Sequence, residues 1–152
     1  MTPNDRLLAE AACFRLQQLY CITADRCDIE GFVALFAPDA SITVPEHPPF
    51  TGHDAIRAAM QALADSGVTN RHIATNCVID VQDETNASGL CYLTVYASTA
   101  AADADGFRPL ELPTTVGEYQ DRFDATTNGW RFKSRTLTRV FRRSLNDANE
   151  KD

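Results

Sequence analysis

The sequence predicts an α+β protein, with helices first and a mainly antiparallel sheet after them. Three observations carry this. Apolar residues recur at helical spacing through the first part of the chain. From Arg71 onward the spacing changes to alternation in long runs rich in β-branched and aromatic residues. Turn residues separate those runs, at Asp83-Glu84-Thr85-Asn86 and at Asn128-Gly129. Helices gathered ahead of strands belong on one face of the sheet. Such a sheet curls under its own twist. The expected result is a cone-like α+β barrel, with three N-terminal helices packed on a strongly curved, mainly antiparallel sheet.

Each element has its own warrant. Asn4 is placed to cap a first helix running to about Thr23. Its stripe is Leu8, Ala12, Leu16 and Leu19, widened by Leu7, Ala11 and Phe14 into a broad core-facing surface. Asp28 caps a second helix, Ile29 to Phe36, which Pro38 ends. Ser41 to Val44 is β-branched and reads as a strand, and Pro45, Pro48 and Pro49 force a loop. Gly52 precedes a third helix with Ile56, Met60 and Leu63 on one face, stopped at Ser66-Gly67. Four long strands follow: Arg71 to Val81, Leu90 to Thr99, Thr115 to Asp124 and Trp130 to Phe141. Cys91, Leu93, Val95 and Ala97 share one face of the second. A loop, Ala100 to Pro113, joins the second to the third. Residues 1–143 read as one domain, and 144–152 as a polar, mobile tail.

Composition narrows the function. The chain has 152 residues, 44% of them hydrophobic and 23% charged. That suits one globular domain and excludes a low-complexity or disordered chain. Fourteen Lys and Arg oppose 21 Asp and Glu, for a net charge of −7. A field of that sign repels phosphate backbones and anionic lipid, so neither nucleic acid nor membrane is expected as a partner. No apolar run approaches the ~20 residues of a membrane span. The first residues lack the basic start and apolar stretch of a signal peptide, so the expected location is the cytoplasm. Five cysteines without a C-x-x-C pair read as reduced thiols, mostly small core residues, and no metal site is expected.

Without a Gly-rich phosphate loop or a nucleophile elbow, no cofactor has a foothold, and acid–base chemistry is what remains. Three histidines can supply it. His47 lies in the Pro-rich loop and His53 at the start of the third helix. Alternation puts His72, Ala74 and Asn76 on one face of their strand, and Ile73, Cys77 and Ile79 mainly on the other. The Ile face reads as core. The His72/Asn76 face suits a pocket lining, although a histidine satisfied by a carbonyl or water fits as well. Asp28 has a capping role, whereas Asp25 has none so clear. Tyr20 lies on the apolar side of the first helix, and by itself reads as core. Arg135 is open to two readings, a solvated strand face or a cation lining the cone.

In order and spacing the chain resembles the SnoaL-like branch of the nuclear transport factor 2-like superfamily. The carrying residues are Tyr20-x4-Asp25-x2-Asp28 with Leu35-Phe36-Ala37-Pro38-Asp39-Ala40, then Gly52-His53-Asp54-Ala55-Ile56. Next come Thr69-Asn70-Arg71-His72-x3-Asn76-x2-Ile79-Asp80, and last Gly117-x-Tyr119-x-Asp121 with Gly129-Trp130-x4-Arg135. The resemblance implies a cone with one deep pocket, in a homodimer or homotrimer. By motif position it implies a His72 base held by Asp25, as in dehydratase and dehydrochlorinase members, with Tyr20 and Arg135 matching residues of bile-acid dehydratase. Scytalone dehydratase has a second active-site histidine on a later strand, and none follows His72 here. Asp121 is only a loose analogue of the ketosteroid isomerase base.

The reading is therefore a cofactor-independent lyase or isomerase acting on a small, largely apolar molecule, cyclic ones included. His72, Asp25, Tyr20 and Arg135 are its catalytic residues. Asn76, Phe36, Met60, Tyr96, Tyr119 and Phe132 line the pocket. The alternatives are a non-catalytic ligand-binding module or small subunit of a ring-hydroxylating dioxygenase, and an enzyme like a polyketide cyclase or an epoxide hydrolase.

Overall fold

Thr2, not Asn4, starts the first helix. Its hydroxyl accepts from the Asp5 backbone N–H while the Asp5 carboxylate takes the Thr2 N–H, a reciprocal capping box. Pro3 then sits at the first helical position, where its missing N–H costs nothing. A computed structural model describes residues 1–141; the expected tail at 144–152 lies outside the described residues. Helix α1 spans Pro3–Asp25 and buries Ala9, Cys13, Leu16, Gln17, Tyr20, Cys21 and Ala24. The broader apolar surface expected of this helix is corrected here. Leu7, Leu8 and Phe14 are 63%, 63% and 47% exposed, because a helix lying on one sheet can bury only the side that faces it.

Asp28 does cap α2, accepting from the Gly31 N–H at 3.0 Å, but that helix covers only Ile29–Val33. The chain turns out of it early, because Leu35 O takes the Phe132 N–H at 2.9 Å and draws the following residues into the sheet. Strand β1 is therefore Phe36–Thr43, beginning well before Ser41. Pro38 does not end a helix. It falls in the stretch between Phe36 and Ser41 where the β1 register shifts, which tolerates a residue without an N–H. Strand β2, Phe50–Thr51, pairs with β1, and helix α3, Gly52–Asp65, buries Ile56 and Met60.

The four long strands are β3 Thr69–Val81, β4 Asn86–Ser98, β5 Thr115–Thr126 and β6 Gly129–Phe141. The six strands run in the order β2-β1-β6-β5-β4-β3. Every pairing is antiparallel except β1 with β6. This is the expected α+β architecture of helices against a curved sheet. Three cysteines, Cys13, Cys21 and Cys91, are buried, and all five are free thiols.

One irregularity decides what faces inward. Asn76 adopts a φ of 52°, a left-handed conformation that asparagine tolerates better than most residues. The β3–β4 register shifts there, between Thr75 and Val78. Before the bulge His72 and Ala74 are the less exposed residues; after it Cys77, Ile79 and Val81 are. The uninterrupted alternation read from the sequence is thus corrected: Ile73 is 46% exposed, and Asn76 itself stands in solvent.

Gly117 marks a second close approach. A Cβ there would lie 2.2 Å from the Thr138 carbonyl oxygen, which is backbone and cannot step aside. Gly117→Ala is expected to lower the unfolding free energy by about 2–3 kcal/mol, read from urea denaturation.

Candidate active site

Helix α1 packs along β3, and the contact brings the end of the helix over the start of the strand. Asp25, the last helical residue, meets His72 there. Its carboxylate stands 2.6 Å from His72 Nδ1 and also accepts the His72 backbone N–H, at 3.0 Å to Oδ2 and 3.2 Å to Oδ1. The two side chains are 13% and 11% exposed, so the contact is largely sheltered from water. A carboxylate accepts, so the hydrogen of the ring contact belongs on Nδ1 and the lone pair on Nε2. Ring and main chain are gripped by one carboxylate, which leaves the imidazole little freedom to turn.

Tyr20 lies one and a half turns before Asp25 on the same helix and is buried. Its ring is edge-on to the imidazole, 6.4 Å away between centroids. Phe32 at 4.8 Å, Tyr119 at 5.4 Å and Phe132 at 6.1 Å surround it. Phe36 touches both Phe32 and Phe132. Burial pushes the Tyr20 phenol above its ordinary pKa, with the Arg135 charge and the Tyr119 hydroxyl pulling the other way. The Tyr119 phenol is pushed up further, again chiefly by burial. Both hydroxyls therefore hold their protons at neutral pH and can donate.

Arg135 is neither on a solvated face nor at an open surface. It is 1% exposed, and its Nε and Nη2 donate to the two oxygens of Asp121, each at 2.7 Å. Its guanidinium carbon lies 4.2 Å from the Tyr20 ring centroid, 4.1 Å from Tyr119 and 4.4 Å from Phe132. Burial works against the charge, but the Asp121 carboxylate outweighs it and carries the guanidinium above its ordinary pKa. Gln17 Nε2 donates to Asp121 Oδ2 at 2.9 Å. Among the described residues Arg135 Nη1 and Gln17 Oε1 have no hydrogen-bond partner.

The fold thus gathers His72, Asp25, Tyr20, Tyr119, Phe36, Phe132 and Arg135. Met60 is buried on α3 beside the same core. Two expected pocket residues do not join. Asn76 is displaced by its bulge, and Tyr96 pairs with Arg71 on the face of β4 opposite Val95, lining a separate groove with Arg108 and Leu110. A polar groove of about 600 Å³, lined by Gln120, Arg122, Ser134 and Thr136, also lies away from the dyad. The remaining histidines have local partners: His53 Nε2 is 3.0 Å from Phe36 O, and His47 stacks on Phe50 at 4.2 Å. Sequence reasoning missed Gln17 altogether and gave Asp121 little weight. Both had a signal, a polar residue within an apolar stripe: Cys13-Gln17-Tyr20-Ala24 on the helix, and Tyr119-Asp121-Phe123 on the strand.

A curved sheet with N-terminal helices packed against it is the α+β fold of solved nuclear transport factor 2-like structures to which this chain is similar. The chain belongs to the SnoaL-like domain family, whose model matches residues 5–136. It is similar to Rv3472 of Mycobacterium tuberculosis, a protein of unknown function, at 28% identity and a TM-score of 0.75, over 97% of this chain and 80% of that one. It is also similar to a scytalone-dehydratase-like protein of Novosphingobium aromaticivorans, at 20% identity and a TM-score of 0.75, over 99% and 100%. LinA aligns at 15% identity and a TM-score of 0.77, over 93% of this chain and 92% of LinA. The last two likenesses speak to the fold alone. No curated protein matches the chain. No helix among the described residues is long and apolar enough to cross a membrane.

The buried ion pair has a measurable signature. Asp121→Ala leaves a charge stranded in the core and is expected to cost about 3–5 kcal/mol. Replacing both partners by apolar residues, Asp121→Leu with Arg135→Met, is expected to be less harmful than Asp121→Ala. Denaturant titration of the single and double variants checks this.

Proposed function

We propose that the protein is a cofactor-independent lyase or isomerase acting on a small, largely apolar molecule. The observation that carries this reading is the 2.6 Å contact between His72 Nδ1 and Asp25 in a largely sheltered site. It leaves Nε2 as a base whose conjugate acid the carboxylate stabilises. Nε2 removes a proton from carbon next to an activating group. The electron pair of the broken C–H bond forms the new double bond. In an elimination the neighbouring C–O bond breaks at the same time, and the departing oxygen takes the Tyr20 hydroxyl proton to leave as water. In an isomerisation His72 returns its proton to a different carbon. Arg135, sealed below Tyr20, acts in this scheme by its field rather than by touching the leaving group. Phe36, Tyr119 and Phe132 are the buried apolar backing behind Tyr20, and the small molecule enters beside His72.

A second reading has its own observation. Asp25 also takes the His72 backbone N–H, so the pair ties α1 to β3 whether or not the ring moves a proton. That is all a non-catalytic ligand-binding subunit would need. A homodimer or homotrimer is our reading of the assembly. It is supported by Ile73, Val78, Tyr92, Val140 and Phe141, large apolar residues of β3, β4 and β6 left exposed.

Two measurements test these readings. His72→Ala is expected to lose ~10²–10⁴ of turnover in an elimination or isomerisation assay, with its circular dichroism intact. Asp25→Asn is expected to lose turnover as well; two folded variants with full activity would leave only the structural tie. Light scattering on the eluting protein is expected to give two or three times the 16.7 kDa chain mass, and a monomer mass would overturn the assembly.

A further inference from the structure

Below the dyad lies a polar cluster whose centre is Asp121. Its Oδ2 accepts two hydrogen bonds, from Arg135 Nη2 and from Gln17 Nε2, while Oδ1 accepts Arg135 Nε. Gln17 is wholly buried on the core face of α1. An apolar side chain would pack there without the cost of desolvating an amide. The sheet is nonetheless shaped for this one. Gly89, Asp121 and Arg135 form one row across β4, β5 and β6. A Cβ on Gly89 would stand 3.0 Å from Gln17 Nε2 and 2.9 Å from Ile79 Cδ1. A missing side chain on β4 thus makes the notch through which an α1 amide reaches a β5 carboxylate.

The consequence passes along a chain of contacts. The amide gives Asp121 Oδ2 its second donor and so holds the carboxylate against the guanidinium. The bidentate pair then prevents the guanidinium from rotating. In that orientation it lies under both the Tyr20 and Tyr119 rings. Tyr20 follows Gln17 by three residues on the same helix face and meets the His72 ring edge-on.

We propose that Gln17 is a positioning residue: acting through Asp121, it seats the Arg135 guanidinium under the Tyr20 ring and so holds in place that ring, which stands edge-on to His72 and carries the hydroxyl that donates the proton. Its catalytic consequence rests on the lyase or isomerase reading; its geometric consequence does not. Gln17 touches no reacting atom. The cation it seats draws electron density from the phenol and opposes the effect of burial, which otherwise makes the hydroxyl a poorer donor.

The test places 3-fluorotyrosine at position 20 and follows its fluorine resonance through a pH titration without substrate. Wild type is compared with Gln17→Leu, which keeps both buried charges, and with Gly89→Ala, which presses on the amide from the sheet side. The expected result is a displaced resonance and a higher phenol titration midpoint in both variants, because burial is then less opposed. With a turned-over substrate, Gln17→Leu is expected to lower kcat by about tenfold and to leave KM within about twofold, the pattern of an interaction made in the transition state. An unchanged resonance and midpoint in both folded variants overturns the proposal. A displaced resonance with undiminished kcat overturns its catalytic part. If wild type turns over nothing, the lyase reading fails alone, and the fluorine signal still decides whether Gln17 seats Tyr20.

Discussion

A guanidinium carried into the centre of a protein must be met there by a carboxylate, or it costs several kcal/mol. Arg135 imposes that condition on its surroundings. Asp121 has to point inward from the neighbouring strand, and the β5–β6 register places the two side by side. The faces of the cation that no carboxylate can cover are covered by rings. Tyr20, Tyr119 and Phe132 lie within 4.4 Å of its central carbon. Three elements of the fold, α1, β5 and β6, are thereby locked to one another by a single charged group.

Helix α1 links this interior to the dyad near the surface, whose side chains are only slightly exposed. Gln17, Tyr20 and Asp25 stand along it within eight residues, a rise of about 12 Å. At the inner end the helix contributes an amide to a buried ion pair. At the outer end it contributes a carboxylate to a histidine reached by water. Between them sits a phenol shielded from solvent and touched by a cation.

Much of the fold was legible because periodicity reports which side of an element meets the core. Strands β4, β5 and β6 and helix α3 follow their patterns closely. The misreadings have particular causes. One extra residue at Asn76 reversed the faces of β3, and period-two reasoning assumes that no such residue exists. The apolar band on α1 is wider than any one sheet can cover, so spacing assigns Leu7 and Leu8 to the core while the packing leaves them exposed. The sequence carries the second helix on to Phe36, but Phe36 pairs with β6 and the helix stops at Val33. The site was legible only in part. His72 and Asp25 were paired through family resemblance, since nothing in their spacing says that residues 47 apart in sequence meet. Gln17 was passed over because a lone amide in an apolar stripe resembles a surface residue until its partner is known.

The order of helices and strands, the acidic charge and the candidate acid–base residues are local or additive properties, and the sequence alone determined them. Which way His72 faces, that Arg135 is sealed rather than solvated, and that Gln17 has a carboxylate to reach were decided only by tertiary structure. The reason is physical. Facing depends on a bulge that shifts register by one residue, and burial of a charge depends on a partner from another strand. Neither quantity exists until the strands are side by side.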